Sequence, residues 1–452
     1  MLTTPAFAGK RFAVLGLARS GQSAVASLVA GGARVTAWDA KDEPRQAVAQ
    51  AHNGPDGDKV ELADPLAIDL TGFDGMVVSP GVPINRHPIA DAARAANVPL
   101  ICDIELFAMA RDALPPHKVV GITGTNGKST TTALTAHLLA QAGVPVTMGG
   151  NIGLPILGQE PLTPNDKGVG VYVLELSSYQ IDLTQRLDCD VAVLLNITPD
   201  HLDRYDGFAG YAASKARLFG MQALGHLALV DMKAEMEEDA LRFAPEGQAF
   251  TFIDSIDLPG DQADWPSLAG PHNRANAQAA VGAVRRLGLD DATIEAGLRS
   301  FRGLPHRMER VGEAGGVIFV NDSKATNPAS TAPALAAFPP VKGHRRLHWI
   351  VGGLPKGDDL DECAGGFANV AAAYTIGEAG PMFADLLAPH MPVVRAEMMA
   401  EAIRAAIAAA VPGDVVLLSP ACASFDQFRD FEARGDTFRQ LVEVMTQSSG
   451  ER

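Results

Sequence analysis

Short runs of apolar and β-branched residues alternate with longer stretches rich in alanine and leucine from one end of the chain to the other. The short runs predict strands at residues 11–15, 34–38, 75–79, 118–122, 171–174, 191–196, 227–230, 317–320, 347–351, 373–376 and 415–419. The longer stretches predict helices at 23–30, 89–96, 129–142, 209–224, 275–287, 329–338, 381–387 and 396–410. Such alternation is the pattern of parallel sheets layered with helices. Breaks near Cys102 and around 301–310 divide it into three consecutive α/β domains, 1–102, 103–304 and 305–452.

The unusual polar clusters follow the carboxyl ends of the predicted strands: 16–21, 79–81, 124–129, 175–180, 196–201, 321–327, 352–357 and 419–427. Open α/β sheets bind ligands outside those ends. The chain therefore reads as built around three ligand crevices.

Length and charge narrow the possibilities. The chain has 452 residues, 47% of them hydrophobic and 20% charged, enough for several cores. Its 37 Lys+Arg against 53 Asp+Glu leave a net charge of −16, which excludes a surface that wraps nucleic acid or docks on anionic lipid. No apolar run approaches the roughly 20 residues that span a bilayer. Residues 12–18 follow Lys10 and Arg11 as in a signal peptide, but Arg19 and a glycine-rich turn interrupt them, so a strand is expected. Cys102, Cys189, Cys363 and Cys422 are scattered, without the spacing of a disulfide framework or zinc site. A cytoplasmic location, no membrane insertion, no nucleic-acid partner and a monomer are expected.

The sharpest chemical signal is Gly124-Thr125-Asn126-Gly127-Lys128-Ser129-Thr130, between a predicted strand and a helix. Glycines let backbone amides wrap phosphate oxygens, a lysine reaches the terminal phosphates, and a serine hydroxyl can ligate Mg²⁺. The first glycine of G-x-x-x-x-G-K-[ST] would fall at Ile122, with Gly121 one place early. Glu175, at the end of a strand of the same predicted sheet, could hold Mg²⁺. His201 stands with Asp200 and Asp203 beyond a third strand. Lys215, in a helical pattern, reads as a surface lysine. The Gly16–Gly21 turn and Asp39 after the second strand suggest a phosphate- or nucleotide-bearing ligand, with a nicotinamide cofactor as one alternative. Cys422 has no histidine near it in sequence, which argues against a thiol nucleophile, and Ser424 is expected to cap a helix and donate to an anion.

Taken in order, several segments resemble the Mur ligase family: Gly124–Thr130, Gly149-Gly-Asn151-Ile-Gly, Glu175-Leu-Ser-Ser-Tyr-Gln, His201-Leu-Asp-Arg-Tyr and His272-Asn273-Arg-Ala-Asn276. The likeness continues through Gly303-Leu-Pro-His-Arg307, Asn321-Asp-Ser-Lys-Ala-Thr-Asn327 and Ser419-Pro-Ala-Cys-Ala-Ser-Phe-Asp-Gln-Phe428. The last two segments resemble the member that adds D-glutamate to UDP-N-acetylmuramoyl-L-alanine.

The resemblance implies a Rossmann-like N-terminal domain for the UDP-sugar, a central P-loop ATPase-like domain with a mostly parallel sheet, and a Rossmann-like C-terminal domain for the amino acid. It implies ATP-dependent amide synthesis in peptidoglycan assembly: the L-alanine carboxylate is phosphorylated, the D-glutamate amine attacks the acyl phosphate, and phosphate leaves. Lys128 would stabilise the transferred phosphoryl group, with Ser129 and Glu175 on one Mg²⁺ and His201 and a carbamylated Lys215 on a second. Asn276, Arg307, Asp322 and Lys324 would contact ATP. Thr326, Lys356, Ser424 and Phe431 would hold D-glutamate, and Leu17, Asp39, Ser79, Pro80, Gly81 and Asn151 the UDP-sugar, with His201 also near the substrate. Asp39-Ala40-Lys41 lacks the hydroxyl-plus-arginine pair expected at a uracil contact, and Gly352-Gly-Leu-Pro-Lys356 replaces the usual Gly-Gly-Asp-Gly-Lys. Another Mur-type amino-acid ligase, a nicotinamide-dependent oxidoreductase and a nucleotide-binding regulatory protein are the competing readings.

Overall fold

The computed structural model describes residues 1–54, 59–198, 204–205, 207–231 and 245–447. Its strands form three sheets. The first runs in the order Val60–Leu62, Arg34–Trp38, Arg11–Leu15, Gly75–Val78, Leu100–Ile101, all parallel. The second runs Ala249–Phe252, Leu227–Val230, Val191–Leu194, His117–Thr123, Gly170–Glu175, Val146–Gly150, again all parallel. In the third, Val317–Asn321, Val415–Leu418, Leu347–Gly352, Val370–Ile376 and Val393–Glu397 are parallel, and Glu309–Ala314 joins the near edge antiparallel to Val317–Asn321.

The inner strands are the ones whose apolar runs stood out. Gly75–Val78, Val191–Leu194 and Leu347–Gly352 are buried at every position, as expected of parallel strands covered on both faces. The edges of the first sheet are short and those of the third are charged. Leu100–Ile101 has two residues and Val60–Leu62 three. Glu309–Ala314 carries Glu309, Arg310 and Glu313 and shifts register between Arg310 and Gly312. Val393–Glu397 carries Arg395 and Glu397 and shifts register opposite Thr375 and Ile376. One expected helix is corrected here: residues 396–410 divide into the end of that strand and helix Met399–Ala409. Glu397 takes a left-handed φ of 61°, which ends the strand and turns the chain before an alanine-rich helix begins.

The chain gathers into two compact units, one of Met1–Pro259 with Ala275–Leu298, the other of Gly260–Arg274 with Arg299–Arg452. In the first, a continuous hydrophobic core includes Phe12, Val77 and Phe107 as well as Tyr172, Leu194 and Phe219. Phe107 on helix Asp103–Ala110 meets Tyr172 edge-on at 5.1 Å. Glu105 on the same helix accepts the Gln185 amide at 2.7 Å and pairs with Arg186 at 2.8 Å. In the second unit, Trp349, Val351 and Phe383 fill one core, and Phe319, Ile350, Tyr374 and Phe438 another.

Candidate active site

Strand His117–Thr123 runs into helix Lys128–Gln141 through the glycine loop. Ile122 is fully buried in that strand, paired with Glu175 and Val193. The loop therefore opens at Gly124, which accounts for the missing first glycine. Gly127 caps the helix at φ 84°, and a Cβ there would lie 2.2 Å from Asn276 Oδ1. Only glycine fits. Asn196, which no motif singled out by role, shapes the loop. Its Oδ1 accepts the Asn126 amide at 2.9 Å, its Nδ2 donates to the Asn126 carbonyl at 3.1 Å, and its own carbonyl accepts the Thr125 amide at 2.8 Å. Thr125 Oγ1 accepts the Thr198 amide at 3.0 Å. Lys128 Nζ donates to the carbonyls of Gly124 at 3.0 Å and Thr125 at 2.7 Å, and Thr130 lies half-buried in the helix's first turn. Amides at the start of a helix and a lysine beside them form an anion site.

Glu175 ends its strand almost wholly buried. Ser129 Oγ donates to Glu175 Oε2 at 2.5 Å, and Asn151 Nδ2 donates to Oε1 at 3.0 Å. One carboxylate is thus shared between the phosphate loop and the loop that follows strand Val146–Gly150. A hydroxyl and a carboxylate are hard oxygen donors of the kind Mg²⁺ prefers. Lys215 is also buried, on helix Gly207–Gly220, and its Nζ donates to the Gly124 carbonyl at 2.8 Å. As an ammonium it has no lone pair with which to ligate a cation. Asp200, His201 and Asp203 lie outside the described residues.

A cleft of about 490 Å³ in the first unit is lined by Asp39, Ser79, Pro80, Gly81 and Asn151, five of the residues expected at the UDP-sugar. Leu17, the sixth, is fully buried and does not line it. Its amide donates to Asp39 Oδ2 at 2.7 Å, while Asp39 Oδ1 accepts the Lys41 amide at 2.9 Å. The turn is tight: Ser79 Oγ donates to the Gly16 carbonyl at 2.7 Å, and a Cβ on Gly21 would fall 1.9 Å from that same oxygen. Arg19 and Gln180, not singled out from the sequence, also line the cleft.

In the second unit, Asp322 is buried. Its Oδ2 accepts from Ser419 Oγ at 2.7 Å and its Oδ1 from the Met308 amide at 3.2 Å. Burial pushes its carboxyl up to about 7 against the pull of Ser419, the Met308 amide and the Arg307 charge. Lys324 Nζ stands 4.0 Å from the centre of the Phe431 ring, and Lys356 Nζ donates to Thr326 Oγ1 at 3.3 Å. Leu354 and Ala423 exchange backbone hydrogen bonds of 2.9 and 3.0 Å, pairing the Lys356 loop with the Ser424 loop.

Ser424 is buried and does not cap a helix. Its carbonyl accepts the Phe428 amide at 2.8 Å, and Asp430 Oδ1 accepts the Ala433 amide at the start of helix Phe431–Gln447. A carboxylate nearer the helix takes the place expected of the serine. Burial holds the Cys422 thiol up at about 12, so it is no nucleophile.

Arg434, missed in the sequence, is the organising cation here. It is 1% exposed, and its guanidinium donates to Ser323 Oγ at 3.0 Å and to the carbonyls of Ser323 at 2.9 Å, Ala423 at 3.0 Å and Cys422 at 3.0 Å. Burial lowers its pKa only to about 10, so it stays charged at neutral pH.

The Mur ligase middle domain matches residues 122–284, and the Mur ligase glutamate ligase domain matches residues 306–422. A UDP-N-acetylmuramoylalanine--D-glutamate ligase of Novosphingobium aromaticivorans is 63% identical over 450 residues, covering 98% of this chain and 97% of the relative. The enzyme of that name from Sphingopyxis alaskensis is 59% identical, with 98% of this chain and 100% of the relative covered. Among solved structures, UDP-N-acetylmuramate-alanine ligase from Thermotoga maritima superposes with a TM-score of 0.56 at 17% identity, over 97% of this chain and 99% of that one. MurF ligase from the same organism, in complex with ADP, gives 0.56 at 14% identity over 99% and 98%. The phosphate loop, the buried Glu175 and the three mostly parallel sheets thus occur in a sequence that tracks its relatives from end to end, and the chain belongs to the Mur ligase family.

Proposed function

We propose that the protein is an ATP-dependent ligase that joins D-glutamate to UDP-N-acetylmuramoyl-L-alanine in peptidoglycan synthesis, releasing ADP and phosphate. The carrying observation is the Glu175 carboxylate, held by Ser129 of the phosphate loop and by Asn151 of the nucleotide-sugar cleft. The end-to-end likeness to D-glutamate ligases selects the substrate pair. A carboxylate is a poor electrophile, and transfer of the γ-phosphoryl group to the L-alanine carboxylate gives it a leaving group. The D-glutamate amine then attacks the acyl carbon, and phosphate departs.

The chain's own part is positioning and charge. Lys128 and the helix-start amides of the loop hold the phosphates, and Asn276 backs the loop at Gly127. Arg307, Asp322 and Lys324 are assigned to ATP, and Thr326, Lys356, Ser424 and Phe431 to D-glutamate. Asp39, Ser79, Pro80, Gly81 and Asn151 are assigned to the UDP-sugar, with Leu17 supporting Asp39 from the core. Mg²⁺, held by Ser129 and Glu175, would neutralise phosphate charge. The domain limits 1–102, 103–304 and 305–452 assign one substrate to each domain. A monomer in the cytoplasm fits this chemistry, and among the described residues no helix is long and apolar enough to cross a membrane.

Phosphate release measured with each substrate omitted in turn is the decisive experiment. Release is expected only when UDP-N-acetylmuramoyl-L-alanine and D-glutamate are both present. Preference for L-glutamate or a diamino acid would move the assignment to another Mur-type ligase. The nicotinamide reading is not favoured, because it leaves the phosphate loop and the Ser129–Glu175 pair without a role, whereas the end-to-end likeness to D-glutamate ligases accounts for both.

Lys215 is assigned as a carbamate, formed when its neutral amine attacks CO₂ and releases a proton. That converts a buried cation beside the Gly124 carbonyl into an anion able, with His201, to hold a second Mg²⁺. Intact-mass analysis under bicarbonate is expected to show a CO₂ adduct that Lys215→Ala lacks. Full activity in CO₂-free buffer without the adduct would overturn the assignment.

A further inference from the structure

Among the described residues lining the cleft, Arg19 is the one basic side chain and Asp39 the one acidic side chain. Asp39 is engaged by the Leu17 and Lys41 amides. Arg19 is exposed, and its guanidinium makes no hydrogen bond or ion pair among the described residues. It is the first residue of helix Arg19–Ala30, whose preceding residue, Ala18, offers no side-chain cap. Side chains in a helix lean toward its amino end. Here that end opens at the carboxyl edge of strand Arg11–Leu15, where the cleft lies.

Ala18 makes the arrangement specific. It stands where the dinucleotide fingerprint G-x-G-x-x-G has its middle glycine, the position at which a missing side chain lets a pyrophosphate settle against the backbone. The exposed Ala18 methyl holds a phosphate farther from the backbone amides, and a longer donor can make up that distance. Arginine is suited to it: the guanidinium stays charged and presents paired N–H donors that match two phosphate oxygens.

We infer that the Arg19 guanidinium grips the diphosphate of the nucleotide-sugar, a charged side-chain donor standing in for the backbone amides that the Ala18 methyl keeps at a distance. The inference rests on the reading of this cleft as the UDP-sugar site. It also answers an electrostatic difficulty. A chain of net charge −16 cannot gather a ligand with a doubly charged diphosphate and a carboxylate by its overall field, so the positive charge must be local.

Steady-state kinetics with Arg19→Ala, Arg19→Glu and Arg19→Lys tests it. The KM for UDP-N-acetylmuramoyl-L-alanine is expected to rise roughly tenfold in Arg19→Ala and further in Arg19→Glu, as for removal of a charge-assisted hydrogen bond. Arg19→Lys, which keeps the charge but loses the paired donors, should fall between the parent protein and Arg19→Ala. The KM values for ATP and D-glutamate, and kcat, should be unchanged, and the parent's KM for the nucleotide-sugar should climb more steeply with salt than that of Arg19→Ala.

The inference is overturned if Arg19→Ala and Arg19→Glu stay within about twofold of the parent, or if the KM for ATP rises in step. Because Arg19 is exposed, the three variants are expected to melt at the parent temperature, which thermal melting checks. If the parent protein releases no phosphate with the two substrates, the functional reading fails and takes this inference with it. If the parent turns over and the variants match it, only the role of Arg19 fails.

Discussion

Lys128→Ala is expected to lower kcat by about a thousandfold while the protein melts at the parent temperature. The loss is catalytic because the loop's shape does not depend on this side chain. Asn196 holds Asn126 through both ends of its side-chain amide, Asn276 fills the space beside Gly127, and Thr198 bonds Thr125. The lysine adds bonds to two loop carbonyls, and removing it leaves the other bonds in place. What disappears is a flexible positive charge, long enough in reach to follow a phosphoryl group as its charge redistributes. Phosphate-release rates measured beside melting curves check this. A variant retaining a tenth of the activity, or one that no longer folds, would refute it.

Arg434→Met is expected to destabilise the second unit by about 3–5 kcal/mol, lowering its melting temperature by roughly 10 °C. Methionine fills most of the volume but donates nothing. The carbonyls of Ser323, Cys422 and Ala423 and the Ser323 hydroxyl would lose their buried donor. Unmet acceptors in a dry interior are expensive to leave. The same bonds draw the loop after strand Val317–Asn321 and the loop after strand Val415–Leu418 onto helix Phe431–Gln447, so Thr326, Ser424 and Phe431 should lose registration together. Arg434→Lys keeps the charge yet cannot span four acceptors. It should fold, melt lower than the parent, and show a raised KM for D-glutamate with the KM for ATP little changed. Calorimetry and kinetics on both variants check the two halves of this prediction. An unchanged melting temperature in Arg434→Met would refute it.

The inner strands were legible in the sequence because burial on both faces leaves no polar alternation to blur them. Edge strands such as Val146–Gly150 and Glu309–Ala314 were not. Two glycines end the first, and charges punctuate the second, so neither carries an apolar run. At the site, the phosphate loop was legible from its glycines and from its place between strand and helix. Lys215 was not, because its burial comes from packing of helix Gly207–Gly220 against a loop some 91 residues earlier in sequence. Asn196 stood in a polar cluster whose role was not read, and Arg434 was not singled out, for a related reason: their partners include backbone groups of remote loops, and backbone carries no signature of its own. Ala18 and Arg19 sat within a motif that was read for its glycines.

The guarded sheet edges bear on how copies of this chain treat one another. Unpaired strand edges invite a second chain to continue the ladder. Here the outermost strands of the first sheet are two and three residues long, too short a template for a foreign strand. The two edges of the third sheet break register and carry Arg310, Glu313, Arg395 and Glu397. An incoming strand would have to match an irregular, charged border, so edge-to-edge pairing through the first and third sheets is disfavoured at high concentration even though both are open rather than closed into a barrel.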